Sequence, residues 1–68
     1  MKPLTAREMA SLLTARGWSL VRQSGSHMVF RLTETGQTVV VPYHAARTLS
    51  TGTQRRIMRA AKIGHDEI

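Results

Sequence analysis

A chain of 68 residues without a cysteine has to fold around one small hydrophobic core that is stabilised by packing or by a partner. A domain of this size buries only about 60% of the surface that its unfolded chain exposes. We therefore expect a single domain over residues 1–68, with no enclosed pocket for an organic cofactor. The absence of cysteine also excludes disulfides, zinc fingers and thiol chemistry.

The charge balance indicates the class of partner. Ten lysines and arginines stand against four acidic residues, which gives a net charge of +6. Such a chain attracts polyanions, and nucleic acid is the leading partner class. An anionic membrane is the alternative, but no apolar run approaches the roughly 18 residues of a spanning helix, and the first residues do not resemble a signal peptide. The sequence predicts a cytoplasmic protein that does not bind membranes.

The first predicted element is a helix that begins at a capping box. Thr5 and Glu8 have the spacing of this box, in which each side chain bonds the other residue's backbone N–H. Apolar residues then recur every three or four positions, and Gly17 supplies the C-terminal stop. Arg16 falls near the apolar side and is expected to extend its charged end towards water.

Three strands should follow, because the apolar period changes from 3.6 to 2. The first opens at Trp18 and ends in a turn at 23–25, the second covers 27–33 and the third covers 38–42. Trp18 and Leu20 share the inward parity of the first strand. Arg22 has that parity too, unless a bulge intervenes or the strand ends before it.

A second helix is predicted after an irregular loop. Thr51 and Gln54 have the spacing of another capping box, and Arg55, Arg59 and Lys62 share the face opposite the apolar one. The order is α-β-β-β-α, an α+β fold. Two helices with single apolar stripes can both cover one face of a three-stranded antiparallel sheet, which leaves the other face open.

His27 is the leading candidate for chemistry. Its parity is opposite to that of the apolar residues of the second strand, so we expect it on the open face. Gly25 and Ser26 allow a tight turn whose backbone can approach a phosphate, and Arg22 and Arg31 supply positive charge for the same anion. Imidazole is the side chain best suited to proton transfer near neutral pH. The plain alternative is an exposed histidine without a function.

The remaining polar residues support weaker hypotheses. His44 follows the third strand and can approach His27 if strands two and three pair, whereas His65 lies in a tail expected to fray. A metal site is disfavoured because the four carboxylates are placed in a cap, a turn and the terminus. The second helix carries four basic residues that either contact phosphate or are only solvated, namely Arg55, Arg56, Arg59 and Lys62.

Several motifs, taken in order, resemble the HicA family of bacterial toxins. They are Gly17-Trp18, the spacing from Arg22 to Gly25-Ser26-His27 with Phe30 beyond it, Val41-Pro42-Tyr43-His44, Leu49, and the run from Gly52 to Ala61. The resemblance implies a fold similar to double-stranded-RNA-binding domains and a metal-independent ribonuclease that cuts messenger RNA with His27. It also implies a HicB antitoxin as partner. Lys62 departs from the family, which often has a glycine there.

The combined prediction is an RNA endonuclease in which His27 is the general base on a 2′-hydroxyl or the general acid on the leaving oxygen. Arginines would neutralise the charge that develops on phosphorus, with Arg22, Arg31, His44 and the basic helix contacting RNA. His44 is the candidate for the second proton transfer. Two alternatives stay open: a non-catalytic RNA-binding module of the same fold, and a protein-binding inhibitor or adaptor.

Overall fold

The computed structural model describes residues 2–44 and 46–68. It has the predicted α-β-β-β-α order and closes with a short 3-10 turn. The elements are α1 (Ala6–Ala15), β1 (Trp18–Ser24), β2 (His27–Leu32), β3 (Thr38–Pro42), α2 (Thr51–Ala61) and the 3-10 turn (His65–Glu67). The α+β prediction is confirmed.

The start of α1 is capped as predicted. The Glu8 backbone N–H donates to the Thr5 hydroxyl at 3.1 Å, and the Glu8 carboxylate accepts from the Thr5 N–H at 2.9 Å. The hydrogen bond from the Thr5 backbone, helped by its hydroxyl, lowers the pKa of the Glu8 carboxyl below its ordinary value. At the other end Gly17 has a φ of 90°, a conformation that favours glycine.

The sheet is antiparallel, with β2 between β1 and β3. α1 packs on β1 and β3, and α2 packs on β3. Strand and helix side chains interlock in one core, which is formed by Leu4, Ala6, Met9, Leu13, Trp18, Met28, Phe30, Val39, Val41, Leu49, Ile57, Met58 and Ile63. The polar parity of β2 therefore faces away from the core, as the sequence predicts.

A bulge in β1 resolves the parity conflict at Arg22. Leu20 pairs with Phe30, but the next pair along the ladder is Arg22 with Val29, so Val21 is an extra residue. Because of this residue, Trp18 can face the core while Arg22 is exposed on the open face. Inward burial of Leu20 is wrong, since 49% of this side chain is exposed on an edge strand.

The turn after β1 also differs slightly from the prediction. β1 continues through Ser24, which pairs with His27, and the reversal falls on Gly25 and Ser26. Gly25 has a φ of 56° and no atom within 4 Å of where a Cβ would lie. The turn glycine is therefore needed for its backbone conformation and not for space.

The capping box predicted at Thr51 and Gln54 is wrong. Ser50 is the N-cap of α2, and its hydroxyl accepts from the Thr53 N–H at 3.4 Å. Gln54 is instead buried, and its side-chain amide forms hydrogen bonds with the backbone of the N-terminal segment at Lys2 and Leu4. The start of α2 is therefore tied to the opposite end of the chain.

The C-terminal residues are more ordered than the sequence predicts. α2 ends at Ala61, and its C-cap Lys62 has a left-handed φ of 58°. His65, expected in a frayed tail, lies in the 3-10 turn, and Glu67 of that turn forms an ion pair with Arg16. Ile68 packs against the core. Arg16 thus extends its charged end away from the apolar side, as expected, and that end pairs with the Glu67 carboxylate.

Candidate functional site

His27 is the first residue of the central strand and is flanked on both sides. It pairs with Ser24 of β1 and with Pro42 of β3. The neighbouring Met28 is buried under the helices, so the exposed His27 belongs to the open face. The Ser26 carbonyl accepts from the Tyr43 N–H, which extends the pairing past β3 and fixes the turn before His27.

Arg22 is the cation that the bulge brings towards His27. The pair Arg22–Val29 lies two positions along the same face from the pair Ser24–His27. Residues in this diagonal relation have Cα atoms about 7–8 Å apart, which long side chains can bridge. An arginine side chain at position 22 is therefore long enough to reach a phosphate that contacts His27.

Arg31 shares the open face but lies at its other end. Four residues along β2 separate it from His27, which corresponds to roughly 13 Å. Its guanidinium lies over the turn at Gly36, where a Cβ would come within 3.3 Å of Nη2. Arg31 is therefore too far away to share one phosphate with His27 and Arg22, contrary to the predicted arrangement.

His44 lines a cavity of about 270 Å³ between the end of β3 and the start of α2. The cavity is lined by Pro42, His44, Arg47, Thr48, Leu49, Ser50 and Thr53, and none of these is acidic. Pro42 is the ladder partner of His27, so the cavity starts beside the candidate catalytic residue. Arg47 was not predicted as a site residue; its position in an aperiodic basic loop is the only signal that the sequence offers.

The basic face of α2 lies on the other layer of the molecule. Arg55, Arg56, Arg59 and Lys62 are all exposed, whereas Ile57 and Met58 between them are buried. The helix packs on β3, on the side of the sheet away from His27. The structure therefore does not gather these cations around His27. The cavity at His44 lies between the two, since Pro42 lines one part of it and Ser50 and Thr53, at the start of α2, line another.

The part of the chain that the structure describes contains neither a three-ligand metal site nor a membrane-spanning helix. Among residues 2–44 and 46–68, no three His, Asp or Glu side chains are grouped so that they could hold a metal ion. Neither helix in the part of the chain that the structure describes is long and apolar enough to cross a membrane.

The sequence profile of a family described as the HicA toxin of bacterial toxin-antitoxin systems matches residues 6–63. The chain belongs to the HicA toxin family. It is thereby a toxin of a toxin–antitoxin system, and family membership implies a HicB antitoxin as its partner. A search of curated proteins finds no significant match to the chain.

The matched segment of this HicA toxin contains every element of the candidate site. It runs from the first residue of α1 to Ile63, just beyond α2, and includes His27, Arg22 and the cavity at His44. An exposed imidazole with a nearby guanidinium can exchange protons and stabilise negative charge on one phosphate. These are the two requirements of phosphodiester cleavage in RNA.

Proposed function

We propose that this HicA toxin is a metal-independent endoribonuclease that cleaves messenger RNA in the cytoplasm, with His27 as a general acid or base. The observation that carries the proposal is the exposure of His27 on the open face together with the bulge that brings Arg22 beside it. The turn at Gly25 and Ser26, which the hydrogen bond from the Tyr43 N–H holds in place, precedes His27 and positions it.

The chemistry requires little beyond these groups, because RNA supplies its own nucleophile. A base takes the proton of the 2′-hydroxyl, the 2′ oxygen bonds to phosphorus, and the bond from phosphorus to the 5′ oxygen breaks. An acid gives a proton to the departing 5′ oxygen, so protons balance. Arg22 stabilises the extra negative charge on the phosphoryl oxygens.

His44 is our candidate for the second proton transfer. It follows the ladder partner of His27 by two residues and lines the cavity that begins at Pro42. Arg47 in the same cavity provides a cation for a neighbouring phosphate, and the basic face of α2 lies beyond it. RNA bound along this route meets positive charge on both sides of the cleaved bond.

A non-catalytic RNA-binding module is the second candidate function. It is favoured by the exposed arginines of α2, which would bind phosphate whether or not His27 reacts. In either case a HicB antitoxin controls the toxin most simply by laying an acidic surface over His27. The net charge of +6 would speed this association.

The test compares wild-type toxin with His27→Ala on single-stranded RNA in EDTA. The exposed side chain leaves no cavity, so the variant should fold normally and cleave about 10²-fold more slowly or worse. His44→Ala should also lose activity. His65→Ala removes an exposed histidine from the 3-10 turn and should cleave at the wild-type rate.

Each of the other outcomes contradicts a different part of the proposed mechanism. Cleavage by His27→Ala at the wild-type rate would remove this residue from the mechanism. Wild-type toxin that binds RNA without cutting it would favour the non-catalytic module. Cleavage that EDTA abolishes would replace the metal-independent mechanism with a metal-dependent one.

A further inference from the structure

Tyr43 is the one aromatic side chain that solvent reaches appreciably among the three of the chain. Trp18 and Phe30 are only 3% and 2% exposed, whereas Tyr43 is half-buried and packs against the core. Its ring is therefore held by packing and still accessible. An aromatic ring in this state can stack on a nucleobase with little loss of side-chain freedom.

Tyr43 and Arg7 line a groove between α1 and the end of the sheet. Two adjoining hollows of about 300 and 360 Å³ share these two residues. The remaining lining residues are Thr5, Ala10, Gln23, Met28 and Ala46. None of the residues lining this Tyr43 groove is acidic and Arg7 is basic, while the Glu8 carboxylate accepts a hydrogen bond from the Thr5 N–H at the edge of one hollow.

The Tyr43 groove lies at the same end of the sheet as His27. The Tyr43 N–H donates to the carbonyl of Ser26, the residue before His27. Gln23 of the groove pairs with Met28, the residue after His27. Neighbouring strands are about 4.8 Å apart. A base next to the cleaved phosphate can therefore pass from the open face around the end of the sheet and reach the Tyr43 ring on the helix side.

The polar residues of the groove are suited to purines. Arginine forms paired hydrogen bonds with the O6 and N7 edge of guanine, and glutamine does so with the N6 and N7 edge of adenine. Arg7 and Gln23 line the same hollow as Tyr43 and offer these groups there. In single-stranded RNA such edges are free to be read while the base stacks.

We propose that the Tyr43 groove binds a purine base next to the cleaved bond and so sets the sequence preference of the toxin. This inference rests on the proposed ribonuclease function. His27 supplies the chemistry on the open face, and Tyr43 selects the neighbouring base from the helix side.

The main experiment sequences the cleavage products of a random single-stranded RNA pool. Wild-type toxin should prefer a purine at one position beside the cut. Tyr43→Leu keeps an apolar side chain on the core but removes the ring, and should reduce cleavage at purine sites about 5-fold to 150-fold, as expected from the ~1–3 kcal/mol of a stacked base. Arg7 and Gln23 can read the edge of a base only while the ring holds that base in place, so the purine preference should fall as well. Tyr43→Phe keeps the ring and should retain the preference.

A second pair of variants does not depend on the core. Arg7→Ala lies on the exposed surface of α1 and should also relax the purine preference. Arg16→Ala removes the same charge just beyond the other end of α1, about 13 Å away, and should leave the preference unchanged. Unfolding curves of all four variants establish that each is folded.

The outcomes separate this inference from the proposed function. Wild-type toxin that cleaves no RNA refutes the ribonuclease, and the groove is then judged by binding of purine-rich against pyrimidine-rich RNA. Cleavage with no preference beside the cut, or an unchanged preference in both Tyr43→Leu and Arg7→Ala, overturns the groove alone. It is also overturned if these variants cut normally and lose affinity for the HicB antitoxin, because the groove is then a protein interface.

Discussion

Gln54 is a polar side chain inside an apolar core, and both the oxygen and the nitrogen of its amide form hydrogen bonds. It is 1% exposed; its oxygen accepts from the Leu4 N–H at 2.8 Å, and its nitrogen donates to the Lys2 carbonyl at 2.6 Å. Gln54→Leu preserves much of the volume but leaves the buried Leu4 N–H without a partner. We expect unfolding free energy to fall by about 1–3 kcal/mol.

Urea unfolding measures this loss. The control is Gln37→Ala, whose amide makes a longer surface bond of 3.4 Å to Ala60 and should change stability by less than about 0.5 kcal/mol. Equal stability of the Gln54→Leu variant and the wild type would mean that the N-terminal segment finds other partners at no cost.

The sequence predicts the cap of α1 correctly and that of α2 incorrectly for a physical reason. Both capping boxes satisfy the same spacing rule, which considers only residues three apart. At Thr5 the rule is sufficient, because both partners are local. At Gln54 the side chain bonds residues 50 and 52 positions away, and a local pattern contains no information about such contacts.

At the scale of the elements, the end of α2 carries an identifiable strain. Lys62 adopts a left-handed φ of 58°, where a side chain costs roughly 1–2 kcal/mol. Lys62→Gly should therefore raise unfolding free energy by about 0.5–1 kcal/mol after the greater freedom of glycine in the unfolded chain is subtracted. Thermal and urea unfolding would both report this gain.

Lys62→Ala is the matched variant, because it removes the same charge and keeps the Cβ atom. It should not gain stability. If the alanine variant is stabilised as much as the glycine variant, the gain comes from charge in a chain with a net charge of +6, and backbone strain at the end of α2 is not its source.

The strands show what periodicity can and cannot predict. The alternation places β2 and β3 correctly, because each keeps a period of two over its whole length. In β1 it fails after Leu20, where Val21 forms the bulge. In the sequence this failure shows as a charged residue, Arg22, at a position whose parity points towards the core. Only pairing with β2 shows that Arg22 turns outward, next to His27.

The whole molecule distributes its charge over two layers, which the sequence does not reveal. His27 and Arg22 lie on the open face, whereas the arginines of α2 lie in the helix layer on the other side of the sheet. Helical periodicity groups the α2 cations correctly but contains no information about their distance from His27. Packing of α2 on β3 determines that distance. An RNA that binds as proposed would therefore follow a curved path instead of occupying one compact site.

This path predicts how salt affects RNA binding. Each phosphate that a cation neutralises on a single strand contributes about 0.7 to the slope of log K against log salt. Arg55→Ala and Arg59→Ala should each lower that slope by somewhat less than ~1, while Arg16→Ala should not, since Arg16 pairs with Glu67. Binding is measured on toxin that also carries His27→Ala, so that the RNA stays intact. An unchanged slope in both α2 variants would assign this face to the antitoxin or to solvent, and the RNA path would then end at the cavity beside His44.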